Sequence, residues 1–134
     1  MTLVVDSSAV LAVLMAEPEA EIFFDLMDAA EPAIISAGNM IEIYRVVQAR
    51  ARDRLADVDA LVAQLLLQIA PVDAAQARLA REGMERFGKG RGTPPAVLNF
   101  GDLFAYALAR AMRAPLLYKG DDFRPTDVVP AWTP

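Results

Sequence analysis

Four short aliphatic runs punctuate the chain: LVV (3–5), AIIS (33–36), IAPV (69–72) and LLY (116–118). LVV, continuous in β-branched and aliphatic residues, predicts a buried strand, and the other runs predict short strands beside it. Between them lie segments with helical periodicity. Strands joined by helical crossovers run parallel, since the helix returns the chain to the edge where it began. The alternation therefore predicts an α/β fold, a three-layer α/β/α sandwich around a central parallel sheet.

The intervening segments can be placed from their punctuation. Ser7 or Ser8 caps a helix reaching about Met15. Pro18 opens a second, running to about Ala30, with Ile22, Phe23, Leu26 and Met27 on one face. A long helix is expected from Ala37 to about Arg54, with Met40, Ile41, Tyr44 and Val47 inward. Another follows from Asp57 to about Ile69. Asp73 caps a helix that Gly88 ends. Residues 89–99 form a Gly/Pro-rich loop, and the last helix runs from about Gly101 to Ala114. DVV (127–129) is a candidate edge strand. With no internal repeat and no linker, residues 1–134 are expected to form a single domain, long enough to bury one core.

Two absences narrow the chemistry. The chain has no cysteine and no histidine, which excludes disulfides, thiolate sites, Ser-His-Asp catalysis and imidazole ligands. Carboxylates, hydroxyls, Lys, Arg and Tyr must do any work. Apolar residues make up 55% of the chain, yet no run is long enough to span a membrane. No Lys or Arg precedes Arg45, so a secretory leader is not expected, and a soluble cytoplasmic protein is. The net charge of −5 hides an asymmetry: residues 1–44 hold eight acids and no Lys or Arg, whereas 45–134 hold thirteen bases against ten acids. Arg45, Arg50, Arg52 and Arg54 form one basic cluster; Arg78, Arg81, Arg86, Lys89 and Arg91 form another. Either can be a solvated helix face or a contact for phosphates.

The acids carry more information. In an open parallel sheet, ligands gather beyond the carboxyl ends of the strands. Asp6 directly follows the first strand, and Glu42 lies in the first two turns of the helix after the second. Asp102 begins the helix that leads into the fourth strand, and Asp121 and Asp122 follow that strand. Helix dipoles and caps explain each acid singly. Glu42 and Asp102, however, sit in the apolar stretches NMIEIYRVV and LNFGDLFAYALA, where a solvated face would be more polar. Gathered together, such acids repel: two charges ~5 Å apart at an effective dielectric of ~20 oppose each other by roughly 3 kcal/mol. Protons or a cation must neutralise them, and an all-oxygen site suits Mg²⁺ or Mn²⁺.

Four blocks, VVDSSAVLAVLMAEPEA, ISAGNMIEIYRV, LNFGDLFAYALAR and PLLYKGDDF…TDV, together resemble the PIN-domain ribonucleases, and within them the VapC-type toxins of type II toxin–antitoxin systems. The resemblance runs nearly end to end, and its third block is the most specific. It implies that Asp6, Glu42 and Asp102 are metal-binding catalytic acids. It also implies a fourth acid from the GDDF turn, with Asp121 and Asp122 both candidates. Asn99 resembles a polar residue the family often keeps, with a supporting hydrogen bond as its expected role. The implied activity is Mg²⁺-dependent hydrolysis of RNA phosphodiester bonds, with Mn²⁺ a substitute and tRNA or rRNA the expected substrates. Glu42 would hold or deprotonate the attacking water. Ser7 is a candidate for an added hydroxyl contact, although capping is its expected job, and the 78–91 cluster and Arg124 are candidate phosphate contacts. The implied partners are a cognate antitoxin protein and a second copy of the chain. Apolar residues on the 19–30 and 40–69 helices, in excess of what one thin sheet needs, fit such surfaces.

Two other classes stay open at this point. A phospho-acceptor module, similar to a receiver domain, would use Asp73 as acceptor and Lys119 after the last strand. Against it, Asp6 has no adjacent acid and two helices separate the second and third strands. A PIN-like shell that binds partners without catalysis is the other.

Overall fold

In a computed structural model, residues 1–88 and 97–134 are described. The first strand, β1 (Leu3–Val5), is buried along its whole length, as a strand flanked on both sides must be. It pairs in parallel with β2 (Ala33–Ser36) on one side and β4 (Leu116–Leu117) on the other, and β3 (Gln68–Ala70) pairs in parallel with β2. The order is β3-β2-β1-β4. Val5 stands level with Ile35 and Leu117, so β1, β2 and β4 release their chains at one edge.

Strand alternation sorts the core into two sides. Leu3, Val5, Ile35 and Leu117 pack with α1 (Ser7–Leu14), α2 (Ala20–Ala29), α3 (Ala37–Arg50) and α4 (Leu55–Gln64). Val4, Ile34 and Leu116 pack beneath α6 (Phe100–Met112), which lies against α5 (Ala74–Phe87). The three-layer α/β/α sandwich with a parallel sheet is thus present. No helix among the described residues is long and apolar enough to cross a membrane.

Several boundaries differ from the sequence-based expectation, each for a local reason. Asp6, not Ser7 or Ser8, caps α1. The long third helix stops at Arg50; a 3₁₀ turn (Arg52–Arg54) follows, and Arg54 reaches back to the Leu14 carbonyl at 2.7 Å. α4 ends at Gln64, and Leu66 takes a left-handed conformation just beyond it. β3 stops before Pro71, which has no N–H for a ladder. The expected edge strand at 127–129 is reduced to one bridge between Leu116 and Pro130. That bridge uses the Val129 carbonyl and the Ala131 N–H, so the missing proline N–H costs it nothing. Inside α3 the buried stripe is Met40, Ile43 and Val47; Ile41 is 70% exposed and Tyr44 half-buried. The inward face is thus shifted from the expected one, and α3 also approaches α6 closely at Gly38. A Cβ at Gly38 would stand 2.3 Å from the Phe104 ring.

Candidate active site

The shared edge of β1, β2 and β4 delivers the acids. Asp6 leaves β1 with only 4% of its surface exposed, while its N–H still bonds the Leu117 carbonyl. Its Oδ2 accepts from the Ser8 N–H (3.0 Å) and the Ser8 hydroxyl (2.6 Å), which caps α1. Ser8 Oγ in turn accepts the Lys119 N–H, tying the cap to the end of β4. Asp6 Oδ1 is buried with no hydrogen-bond partner. Burial raises the Asp6 pKa to about 6; bonds from Ser8 oppose the rise and the Glu42 charge adds to it.

Glu42 comes from the second turn of α3, whose start is capped by Ser36. Its Oε1 accepts from Ser7 Oγ at 2.5 Å and lies 3.3 Å from Asn39 Nδ2. Ser7 is therefore not a cap: its hydroxyl crosses from α1 to α3. Asn39 Nδ2 also donates to the Gly101 carbonyl at 3.1 Å, which joins α3 to the first turn of α6. There the helix opens with a reciprocal cap. Asn99 Oδ1 accepts the Asp102 N–H and Asp102 Oδ2 accepts the Asn99 N–H, both at 3.0 Å. The supporting bond expected of Asn99 is this one. Burial raises the Asp102 pKa to about 7; the Asn99 N–H opposes that, while the charges of Asp6, Asp122 and Glu42 add to it.

The two candidates in the GDDF turn part company. Gly120, at φ 99°, makes the turn possible. Asp121 points outward and pairs with Arg124 at 3.2 Å. Asp122 is half-buried, and its charge acts on Asp102. The structure thus brings the charges of Asp6, Glu42 and Asp122 to bear on Asp102, and that of Glu42 on Asp6, while Asp121 faces Arg124 instead. Among the described residues, none of these four acids has a salt-bridge partner.

No group of three or more acids among the described residues is drawn closely enough to hold a metal ion unaided. Mg²⁺ does not require one, since it keeps several waters and takes one or two carboxylates. The donors present fit that pattern: hard oxygens, uncompensated charge, and a buried Asp6 oxygen lacking a partner.

The phospho-acceptor arrangement is not assembled. Asp73 caps α5 through the Gln76 N–H, and the Lys119 ammonium lies 3.2 Å from both Glu17 and Glu19. The basic clusters are partly spent as well. Arg54 is paired with Asp57, Arg81 with Glu85, Arg86 with Asp127 and Arg124 with Asp121. Arg45 and Arg50 are exposed, while Lys89 and Arg91, with the expected loop as far as residue 96, fall outside the described residues.

Sequence reasoning missed Asn39 and Gly101. One signal was available for the first: Asn39 lies one helical turn before Glu42 and interrupts an otherwise small or apolar face.

Over residues 3–129 the chain matches the family described as the PIN domain. It is similar to ribonuclease VapC42 of Mycobacterium tuberculosis, with 38% identity over 132 residues, covering 98% of this chain and 100% of that one. Ribonuclease VapC28 of the same organism is 40% identical over 128 residues, covering 94% of this chain and 95% of the relative. Among solved structures, the fold is similar to that of Mycobacterium tuberculosis VapC20, described as a Sarcin-Ricin loop cleaving toxin. That match has a TM-score of 0.72 and 18% identity, covering 95% of this chain and 96% of the other. VapBC2 from Rickettsia felis, bound to a DNA fragment from its promoter, matches with a TM-score of 0.70 and 16% identity over 96% of each chain.

Proposed function

The chain belongs to the PIN-domain family, and from that premise we propose that it is a metal-dependent endoribonuclease, the toxin of a type II toxin–antitoxin pair, acting as a single domain over residues 1–134. The observation that carries this is the set of four acids, from four separate segments, gathered at one sheet edge with no cation among the described residues to balance them. A cluster of that kind repels itself unless protons or a cation neutralise it, and it contributes nothing to stability once ionised.

Asp6 and Asp102, with Glu42, would hold Mg²⁺, or Mn²⁺ in its place. Such an ion supplies an acidified water and charge stabilisation at the scissile phosphate. Asp6 would offer its unpartnered Oδ1, and Asp102 the oxygen not engaged in the helix cap. Glu42 takes the proton of the attacking water; in a chain without histidine or cysteine a carboxylate is the natural base near neutral pH. Asp122 adds negative charge beside Asp102 and is the fourth acid of the set. Arg45 and Arg50 are exposed candidates for phosphate contacts along the RNA.

The substrate class is structured RNA, tRNA or rRNA, supported by the ribonuclease relatives and by the described target of VapC20. A cognate antitoxin is the expected partner, supported by the VapBC2 assembly, and a homodimer is part of the same proposal. Exposed apolar residues such as Ile22 and Ile41 are available to such partners. The cytoplasm, where the RNA and antitoxin are made, is the expected compartment.

The test is cleavage of tRNA and rRNA with Mg²⁺, Mn²⁺ or chelator, comparing wild type with Asp6→Asn and Asp102→Asn. Metal-dependent cutting that both folded variants lack is the expected result. Cutting that survives chelation, or persists in either variant, would overturn the proposal.

A further inference from the structure

We propose that Asn39, acting with Ser7 and Gly101, is a positioning residue that presents Glu42 to the reaction through one oxygen, Oε2. It rests on the nuclease function proposed above and adds to it a residue that works only through Glu42.

Asn39 is fully buried one turn before Glu42. Its amide nitrogen serves two acceptors from different helices, Glu42 Oε1 at 3.3 Å and the Gly101 carbonyl at 3.1 Å. Both are oxygens, so a reversed amide would set oxygen against oxygen; the orientation is dictated. The consequence is an unsatisfied acceptor: Asn39 Oδ1 is buried without a partner. A leucine or methionine would fill a similar space with no orphaned group, so packing alone does not ask for asparagine. A lysine or arginine could reach Glu42 too, but its charge would compete for the same acids with any cation bound there. An amide holds the carboxylate and leaves the local charge unchanged.

Ser7 Oγ joins Asn39 on Glu42 Oε1, so both donors fall on the same oxygen. The other oxygen lies against Gly101, where an added Cβ would come within 1.8 Å of Oε2. Glycine brings no packing and extra chain entropy to a helix, and here it leaves the space that Oε2 occupies. The Asn39–Gly101 bond also fixes α3 to the turn that carries Asp102, which sets the spacing between the two acids. Two locally unfavourable residues, an under-bonded asparagine and a helical glycine, thus converge on one carboxylate.

The experiment is a kinetic double-mutant cycle on an RNA that the wild type cuts. It uses Asn39→Ala, Gly101→Ala, Glu42→Gln and the Asn39→Ala/Glu42→Gln pair, with folding checked by circular dichroism. Asn39→Ala and Gly101→Ala are each expected to lower kcat by about 10- to 100-fold with little change in KM, as misplacement of a reacting group does. The double variant is expected to be no slower than Glu42→Gln alone, because a residue that acts through Glu42 has nothing further to lose. Should Asn39→Ala fail to fold, Gly101→Ala probes the same clamp from the other helix. An active wild type whose folded variants keep their kcat, or whose losses multiply in the double variant, overturns the clamp and leaves the nuclease function standing. A wild type that cuts no RNA overturns both.

Discussion

α6 carries an acid-centred cluster toward each end, and the two are compensated in opposite ways. In its C-terminal half, Asp127 accepts the Tyr106 hydroxyl at 2.8 Å and lies 3.2 Å from Arg110 and 3.3 Å from Arg86. Arg110 also donates to the Tyr106 oxygen and approaches Glu82. Burial raises the Tyr106 pKa, and its bond to Asp127 raises it further, so the phenol stays a donor. At the helix N-terminus, the charges of three other acids act on Asp102, none of the four has a salt-bridge partner among the described residues, and a buried Asp6 oxygen lacks any partner. One helix obeys one set of electrostatic rules, so the contrast is informative. An acid balanced from within, like Asp127, ties segments together, whereas acids left unbalanced are open to whatever neutralises them, a proton or a cation.

Removing charge at the two ends should therefore have opposite consequences, and the largest effect belongs to the N-terminal end. Asp6→Asn and Asp102→Asn should abolish RNA cutting while the melting temperature in metal-free buffer holds or rises, since asparagine can keep both caps. Asp127→Asn should do the reverse, lowering the melting temperature with kcat intact. A thermal melt beside a cleavage assay decides it, and a parallel loss of fold and activity at both ends would erase the distinction. Next in size, Glu42→Gln should cost about 10²–10⁴-fold in kcat, the range for losing a general base; a smaller loss would make Glu42 an accessory.

A titration sharpens the comparison further. Folded Asp6 and Asp102 bind protons more tightly than the unfolded chain, with pKa values of about 6 and 7 against 3.8. Their contribution to stability is therefore full below about pH 4 and is lost as the pH rises through 6 to 7. Metal-free wild type should lose on the order of 2 kcal/mol relative to Asp6→Asn between pH 4 and 8, measured by denaturant unfolding. Added Mn²⁺ should flatten that slope; a slope of the opposite sign would mean that the site is balanced from within after all. The smallest effect is expected for Tyr106→Phe, about 1.5 kcal/mol, the low end for a hydrogen bond to a charged group because Asp127 keeps its two arginines, with cleavage unchanged.

The layered fold was legible because its cause is local. LVV and AIIS are short, largely aliphatic runs bounded by turn and cap residues, which favours buried strands, and the segments between them have the length and periodicity of helical crossovers. Asp6 and Asp102 were legible for a related reason: an acid at the junction of strand and helix, or in a first turn, has its location set by neighbours a few residues away. Errors arose where a residue's environment came from another element. Ile41 fits an inward helical stripe by spacing, yet it is exposed because the face of α3 that meets the sheet and helices is the one carrying Met40, Ile43 and Val47. Ser7 reads as a cap and is instead a donor to Glu42, thirty-five positions away.

From the amino-acid order alone came the sandwich, its parallel sheet, and the edge at which the acids must emerge, since strand and helix propensities act over a handful of residues. Only the tertiary structure decided which acid of the GDDF turn faces the cluster, that Asn39 and Ser7 grip Glu42, and that Gly101 leaves room for its second oxygen. Those outcomes depend on how closely α1, α3 and α6 approach and at what rotation. Side chains remote in sequence set that packing jointly, so no local spacing contains it.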